Sequence, residues 1–209
     1  VDVIFTFDAS VVAPKTVVAF ETLTYKKIQI AVHAEIEDKD QTVYIPDVHT
    51  TATAANTTKD HVTGANEDLI ITDEVVLTGL KVGNKYTVKG VLMDKSAEKT
   101  LLVNGEEVTA ETTFVPETTD GTVDVTFTFD GTGLEDTVVV VFETLYTEKK
   151  EVAVHADIED KDQTVYIPEI HTTAVGEDTK DHVTEAKKDV TIVDTVSYEG
   201  LEVGREYTV

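Results

Sequence analysis

An internal repeat is the feature that most constrains how this chain can fold. Residues 1–53 align with residues 123–175 at a constant offset and without a gap. Residues 47–88 align with residues 169–209, with one residue deleted. The repeating unit is therefore about 120 residues long, the size of one immunoglobulin-like β-sandwich. The sequence predicts consecutive copies of one module.

The module boundaries are predicted at two prolines, Pro46 and Pro168, each of which directly follows a QTVYI segment. This divides the chain into the end of one repeat (1–46), a complete repeat (47–168) and the start of the next (169–209). Both ends of the chain lie inside strand-like patterns, so we expect a portion of a longer protein. Such short linkers favour a stiff array over flexibly joined domains.

Alternating apolar and polar residues predict strands throughout. The clearest examples are VDVTFTF at 123–129 and YTVKGVLM at 86–93. Turn pairs such as Asp120-Gly121 and Asp130-Gly131 separate these runs. Period-2 patterns with short turns indicate β-strands, and segments with helical periodicity are weak here. We predict an all-β fold of tandem Ig-like β-sandwich modules.

Charge and composition exclude several partners. The chain has 17 Lys and Arg against 41 Asp and Glu, a formal net charge of −24, and no cysteine. We therefore expect no nucleic acid partner and no anionic membrane surface, because both are bound through cations. No apolar run approaches a membrane span, and no His/Cys spacing indicates a metal site or cofactor. The acidic runs IEDKDQ at 36–41 and 158–163 leave calcium binding open, since Ca²⁺ prefers carboxylate oxygens.

Strand alternation places several polar residues on apolar faces. In the complete repeat these are Thr50, Asp73, Glu143 and Gln163. Thr50, for example, shares a face with Val48 and Ala52, whereas Thr51 points the other way; His155 stays ambiguous. Burying an unpaired polar group costs a few kcal/mol, so these groups must pair. They form either a hydrogen-bonded structural network or a reactive cluster.

The reactive interpretation is acyl transfer. A threonine hydroxyl beside a histidine base is a nucleophile, and a glutamine carboxamide is an acyl donor. A buried carboxyl pair that shares a proton can assist at the amide. The products are a Thr–Gln ester and ammonia, from a reaction that occurs once per repeat.

Four motifs, each present twice, carry a family resemblance. They are VVAFETL at 17–23 and VVVFETL at 139–145, His-x7-Gln, Ile/Val-x-Thr-x-Ala, and Ile-x-Asp-x-Val followed by GLxVGxxY. Together they resemble the Thr–Gln ester-bond domains, or VaFE-type repeats, of Gram-positive bacterial surface adhesins. The resemblance implies a β-sandwich whose first strand carries the threonine and whose last carries the glutamine.

By motif, the resemblance implies Thr50 and Gln163 as the crosslinked pair, His155 as the base, and Asp73 with Glu143 as the acidic pair. Two alternatives stay open: Thr51 as the nucleophile and Asp60, in a TKDH segment shared with Asp181, as the acid. The flanking repeats hold partial sites, which are Glu21, His33 and Gln41 in the first and Thr172 and Asp194 in the last. Docking of these two partial sites, with a bond from Thr172 to Gln41, is a further alternative.

The expected function is structural: a stalk or fibre segment of an adhesin or pilus-like filament on the bacterial cell surface, extracellular and not an enzyme. Its expected partners are neighbouring repeats and other copies in a filament, with any host or matrix ligand bound by a tip domain elsewhere. The alternatives are a passive binding module without a crosslink, a hydrolase acting on external substrate, and a Lys–Asn isopeptide crosslink. Four histidines are predicted to face solvent: His49, His171, His61 and His182.

Overall fold

The fold was determined from a computed structural model, which describes residues 1–56, 58–148 and 150–209. These residues form strands and turns, and they include no helix long and apolar enough to cross a membrane. The all-β prediction is confirmed. The strands among the described residues are β1 (Lys15–Val18), β2 (Glu21–Tyr25), β3 (Ile28–His33), β4 (Thr42–Ile45), β5 (Asp47–Ala54), β6 (Leu69–Thr78), β7 (Tyr86–Asp94), β8 (Lys99–Thr100), β9 (Leu102–Val103), β10 (Glu106–Glu107), β11 (Thr109–Phe114), β12 (Gly121–Phe129), β13 (Thr137–Thr147), β14 (Lys150–His155), β15 (Thr164–Ile167), β16 (Glu169–Gly176) and β17 (Ile192–Glu199).

Residues 47–168 build a sandwich of two antiparallel sheets. The smaller sheet has the order β12-β6-β5. The larger sheet has the order β11-β7-β13-β14, with β8 on the edge of β7 and β15 also paired to β13. The apolar positions of both sheets face inwards, which is the alternation read from the sequence. The core thus lies between the sheets, and its fully buried side chains include Phe127, Leu69, Ile71, Leu77, Leu92, Leu145 and Ile167.

Strand β13 changes partner along one edge, and this change shapes the site. Its first part, Thr137–Val140, pairs with β15, and its last part, Glu143–Thr147, pairs with β14. The segment 156–163 joins β14 to β15 and leaves the sheet between the two pairings. Glu143 therefore lies where three pieces of chain meet.

The flanking repeats form isolated two-stranded ladders: β1 with β4, β2 with β3, and β16 with β17. The pattern VDVIFTF at 1–7 forms no strand, although the matching residues 123–129 lie in β12. The strand pattern at the start of the chain is thus not realised. β12 pairs along its length with β6, and residues 1–7 have no such partner among the described strands.

Candidate functional site

Four polar side chains are buried together between the two sheets. Thr50 on β5 and Asp73 on β6 come from the smaller sheet. Glu143 on β13 and Gln163, directly before β15, come from the larger one. Their exposed fractions are 7% for Thr50, 1% for Glu143, and 0% for Asp73 and Gln163. Thr50, Asp73 and Glu143 lie at inward positions of their strands, and Gln163 extends the buried face of β15 by one residue, so the alternation that builds the core also builds this site.

Backbone pairing fixes the position of each residue. Glu143 lies opposite His155 in the β13–β14 ladder. The amide N–H of Val141 donates to the carbonyl oxygen of Gln163 over 3.0 Å, and the amide of Ala52 donates to Asp162 over 2.8 Å. The chain around Gln163 is thus attached to both sheets.

Two hydrogen bonds cross the sandwich. The Thr50 hydroxyl, Oγ1, donates to Glu143 Oε2 over 3.2 Å. The Gln163 carboxamide nitrogen, Nε2, donates to Asp73 Oδ1 over 3.3 Å. The hydroxyl and the carboxamide are therefore each bonded to one member of a buried carboxyl pair.

Ordinary donors do not complete the pairing of this network. Among the described residues, Gln163 Oε1 is buried without a hydrogen-bond partner, and Asp73 Oδ2 and Glu143 Oε1 have none outside the carboxyl pair itself. An unpaired buried atom costs about 1–3 kcal/mol of desolvation. A purely structural network is expected to satisfy its members. Incomplete pairing of this kind needs an explanation, and a reactive role of the groups is one.

The two carboxyl groups hold their protons more tightly than usual. Burial raises the pKa of Glu143 most, and the hydrogen bond with Asp73 and the charge of Asp73 raise it further. Burial also raises the pKa of Asp73, although Glu143, Gln163 and the nearby His155 oppose this. Two close carboxylates in a dry site cannot both ionise. At neutral pH the pair therefore retains a proton, and we place it on Glu143.

Among the described residues, the Thr50 hydroxyl bonds Glu143 and not His155, and the role of His155 as the base stays a prediction. Its Nε2 donates to Asp160 Oδ2 over 2.8 Å, and its side chain is 19% exposed. The sequence reasoning missed Asp160. The available signal was the spacing His-x4-Asp, which recurs as His33 and Asp38 and has the same 2.8 Å contact there.

The two alternative site residues, Thr51 as the nucleophile and Asp60 as the acid, lie outside the buried cluster. Thr51 is exposed on the outer face of β5. Asp60 pairs with Arg205, with 3.0 Å between Nη2 and Oδ1. The hydrogen bond from Arg205 lowers the pKa of Asp60 to about 2, helped by the backbone of His61. Asp60 is therefore an ionised, partly exposed carboxylate outside the network.

The histidines divide into two groups. His49 and His171 are exposed, and the His49 ring lies edge-on to that of His155 at 6.4 Å. The expectation that His61 is solvated is wrong. Its side chain is partly buried, and its Nδ1 donates to the carbonyl oxygen of Thr164 over 3.0 Å. His182 is exposed.

The partial sites repeat the backbone geometry but not the burial. Glu21 lies opposite His33 in the β2–β3 ladder, as Glu143 lies opposite His155. The carbonyl oxygen of Gln41 accepts from Ala19 over 3.1 Å. Thr172 and Asp194 are exposed, because no second sheet covers β16 and β17 among the described residues. Among the described residues, no hydrogen bond joins Thr172 to Gln41.

Among the described residues, no three His, Cys, Asp or Glu side chains lie together in a group that could hold a metal ion. In the acidic segment, Asp157 Oδ1 accepts the amide of Glu159, and Asp160 Oδ1 accepts that of Asp162. These carboxylates therefore stabilise the turns that lead to β15.

The family model of the "T-Q ester bond containing domain" matches residues 1–45, 46–167 and 168–209. The chain belongs to this family. The resemblance inferred from the four motifs is thereby confirmed. No curated protein matches the chain.

Solved structures of a bacterial adhesin and of two larger bacterial enzymes are similar to this chain at low identity. A bacterial adhesin from Mobiluncus mulieris, containing intramolecular disulfide, isopeptide and ester bond cross-links, is 16% identical, covers 75% of this chain and 74% of its own, and has a TM-score of 0.46. A glycosyl hydrolase family 2 member from Bacteroides cellulosilyticus is 14% identical, covers 63% of this chain and 16% of its own, and has a TM-score of 0.41. A Bacteroides uniformis β-glucuronidase is 7% identical, with 62% and 15% covered and a TM-score of 0.41. At these TM-scores the likenesses carry no argument about function.

Proposed function

We propose that the complete repeat, residues 47–168, forms an intramolecular ester between Thr50 and Gln163. The observation that carries this proposal is the buried carboxyl pair. Glu143 accepts from the hydroxyl and Asp73 accepts from the carboxamide, so one acidic pair spans the nucleophile and the leaving group. Membership of the T-Q ester bond family supports the same pair.

The reaction balances within the four side chains. Thr50 Oγ1 attacks Gln163 Cδ, the Oγ1–Cδ bond forms, and the Cδ–Nε2 bond breaks. The hydroxyl proton passes to Glu143 Oε2 while the proton already on Glu143 passes to Asp73. Asp73, which touches the departing nitrogen, then protonates it, and ammonia leaves. No oxidant, metal or cofactor is consumed.

This route assigns the proton transfers to Glu143 and Asp73, and it gives His155 a different task from that of a base for Thr50. His155, held by Asp160, lies close enough to Asp73 to oppose the rise in the pKa of that carboxyl. The low-dielectric surroundings strengthen this interaction relative to water. His155 therefore acts on the charge of the acidic pair.

The biological role that we propose is mechanical. The ester closes a loop of more than a hundred residues, which in the loop-entropy description of crosslinks is worth about 5 kcal/mol. It joins the first and last strands of the sandwich, the strands on which a pull along the chain acts. A chain without cysteine gains in this way what a disulfide provides elsewhere.

We further propose that residues 1–46 and 169–209 are parts of adjacent repeats in the same stalk. The stalk belongs to an extracellular surface protein of a bacterium, where neighbouring repeats are its partners. Because each repeat consumes its own side chains, the reaction has no turnover. The protein is thus a crosslinked structural segment rather than an enzyme.

The intact mass of the chain tests the ester directly. We expect the native chain to be lighter than its sequence by one ammonia. Thr50→Ala and Gln163→Ala should restore the full mass. Thr51→Ala is the matched control, because its side chain is the exposed neighbour on the same strand, and it should keep the deficit. Full mass in folded native protein would reject the ester and leave a passive sandwich module.

A further inference from the structure

The segment His61–Thr63 lies along the edge of β15 that faces away from β13. The amide of Tyr166 donates to the carbonyl oxygen of His61 over 2.7 Å, and the amide of Thr63 donates to that of Tyr166 over 2.9 Å. Val62 forms a parallel bridge with Tyr166. The last strand of the repeat is therefore held on both edges.

The His61 side chain adds a contact close to the crosslinking glutamine. Its Nδ1 donates to the carbonyl oxygen of Thr164 over 3.0 Å, and Thr164 directly follows Gln163. Thr164 is fully buried, and Thr63 is 2% exposed. This hydrogen bond thus fixes the main chain one residue from the carboxamide that reacts.

The same segment is anchored to the strand that carries Thr50. The amide of Ala54, at the end of β5, donates to the carbonyl oxygen of Asp60 over 2.9 Å. The amide of His61 in turn donates to Asp60 Oδ1 over 2.7 Å. The segment consequently links the first strand of the sandwich to the last without a covalent bond.

The third repeat shows the same motif without its last strand among the described residues. Gly176 donates to Asp181 over 2.9 Å, which reproduces the attachment of Ala54 to Asp60. The ring of His182 instead donates from Nδ1 to Ala174, in its own first strand, over 3.0 Å. Both copies thus attach the TKDH segment to the first strand. The histidine ring contacts β15 in the middle repeat and the first strand in residues 169–209.

We propose that His61–Thr63 is a clamp that sets the register of β15 before the ester forms, and that His61 is a positioning residue for Gln163. β15 is only four residues long, and a one-residue slip would turn Gln163 away from Thr50. The clamp opposes such a slip through His61, Val62 and Thr63. This inference rests on the proposed ester.

The first test is a time course of ammonia loss after cell-free synthesis of the full chain. His61→Phe keeps a ring but removes the donor, and we expect crosslinking to slow about tenfold, the scale of a small misplacement of reacting groups. His61→Asn keeps an N–H donor near the Nδ1 position, and it should restore the rate to within about threefold of the native chain, because the hydrogen bond to Thr164 is retained. His182→Phe is the matched control and should leave the native rate unchanged. Equal rates for native, His61→Phe and His61→Asn chains would overturn the clamp.

A second test does not depend on the reaction. In the Thr50→Ala chain, which cannot crosslink, hydrogen exchange at the Tyr166 amide reports on the clamp, because this amide points to His61 and not to β13. The amides of Val165 and Ile167, which by strand alternation point to β13, are the internal reference. Protection of Tyr166 comparable to these amides supports a clamp that precedes the ester, and rapid exchange at Tyr166 alone refutes it.

The two tests separate the two proposals. A native chain that never loses ammonia rejects the ester, whatever Tyr166 does. A native chain that loses ammonia while Tyr166 exchanges freely in Thr50→Ala keeps the ester and rejects the clamp. If His61→Phe does not fold, the exchange measurement still decides.

Discussion

Gly90, in the middle of β7, is the position where one added methyl group should be felt most. It lies opposite Glu143 in the β7–β13 ladder. A Cβ built there comes within 2.5 Å of Phe127 Cζ and 3.2 Å of Val125 Cγ1. Phe127 is 1% exposed, so its ring has no free space to enter. Gly90 therefore leaves room for the tip of the Phe127 ring against the strand, opposite Glu143.

Two opposing effects determine the cost of Gly90→Ala. Overpacking a filled core costs about 1–3 kcal/mol. Replacing glycine with alanine also reduces the entropy of the unfolded chain, which stabilises by about 0.4–1 kcal/mol. The clash exceeds this gain, because the nearest atoms are closer than contact distance and belong to a fully buried ring. We expect a net loss of about 1–2 kcal/mol, or about 4–8 °C in Tm for a domain of this size.

The assay is thermal unfolding in the Thr50→Ala background, so that a crosslink cannot mask the effect. Gly121→Ala is the matched control, because Gly121 lies in β12 and a Cβ there meets nothing within 4 Å. We expect the control to be neutral or slightly stabilising. If Gly90→Ala proves as stable as Gly121→Ala, the packing of Phe127 on Gly90 is not what the distances indicate, and the reasoning fails.

Three further predictions concern the site. Thr50→Ala should lower the free energy of unfolding of the middle repeat by about 5 kcal/mol through loss of the closed loop, which denaturant unfolding with and without the substitution measures. Burial raises the pKa of Glu143 in the folded protein above its usual 4.5, so the folded state binds this proton more tightly than the unfolded state does. The resulting stabilisation is complete below the usual pKa of 4.5 and is lost as the pH rises towards the raised pKa of the folded state. Unfolding of Thr50→Ala between pH 4 and 9 should therefore show a stability decline that Glu143→Gln reduces, and an unchanged slope would contradict the protonated acid. Finally, Asp73→Asn should abolish ammonia loss within the time course of the native chain. Asp60→Asn should slow it at most about twofold, because Asp60 pairs with Arg205 outside the network and exposed ion pairs contribute little. The reverse result would transfer the acidic role to Asp60.

Much of the candidate site was predictable from alternation alone. A residue that shares a strand face with buried apolar neighbours is buried with them, and this places Thr50, Asp73, Glu143 and Gln163 inside. Alternation carries no information on which inward group meets which. The contact of Thr50 with Glu143 depends on how the two sheets stack, and the sequence reasoning instead expected His155 beside Thr50.

Residues outside regular strands were the least predictable. The TKDH segment has the composition of a polar loop, yet His61 contacts the backbone of β15 at Thr164, which lies 103 residues further along the chain. Asp160 lies in an acidic run that reads as solvated, and it holds His155. In both cases the partner comes from a part of the chain whose position only the folded sandwich decides.

The repeat of about 120 residues, the all-β class and the face on which each strand residue lies can be predicted from local chemistry and from a pattern that is present twice. Whether a strand pattern becomes a strand depends on a partner strand beside it in the fold. VDVTFTF forms β12 because β6 lies beside it, whereas the nearly identical residues 1–7 form no strand. A strand's hydrogen bonds are made with another strand, so its formation, and the burial that makes Glu143 an acid, depend on distant parts of the chain.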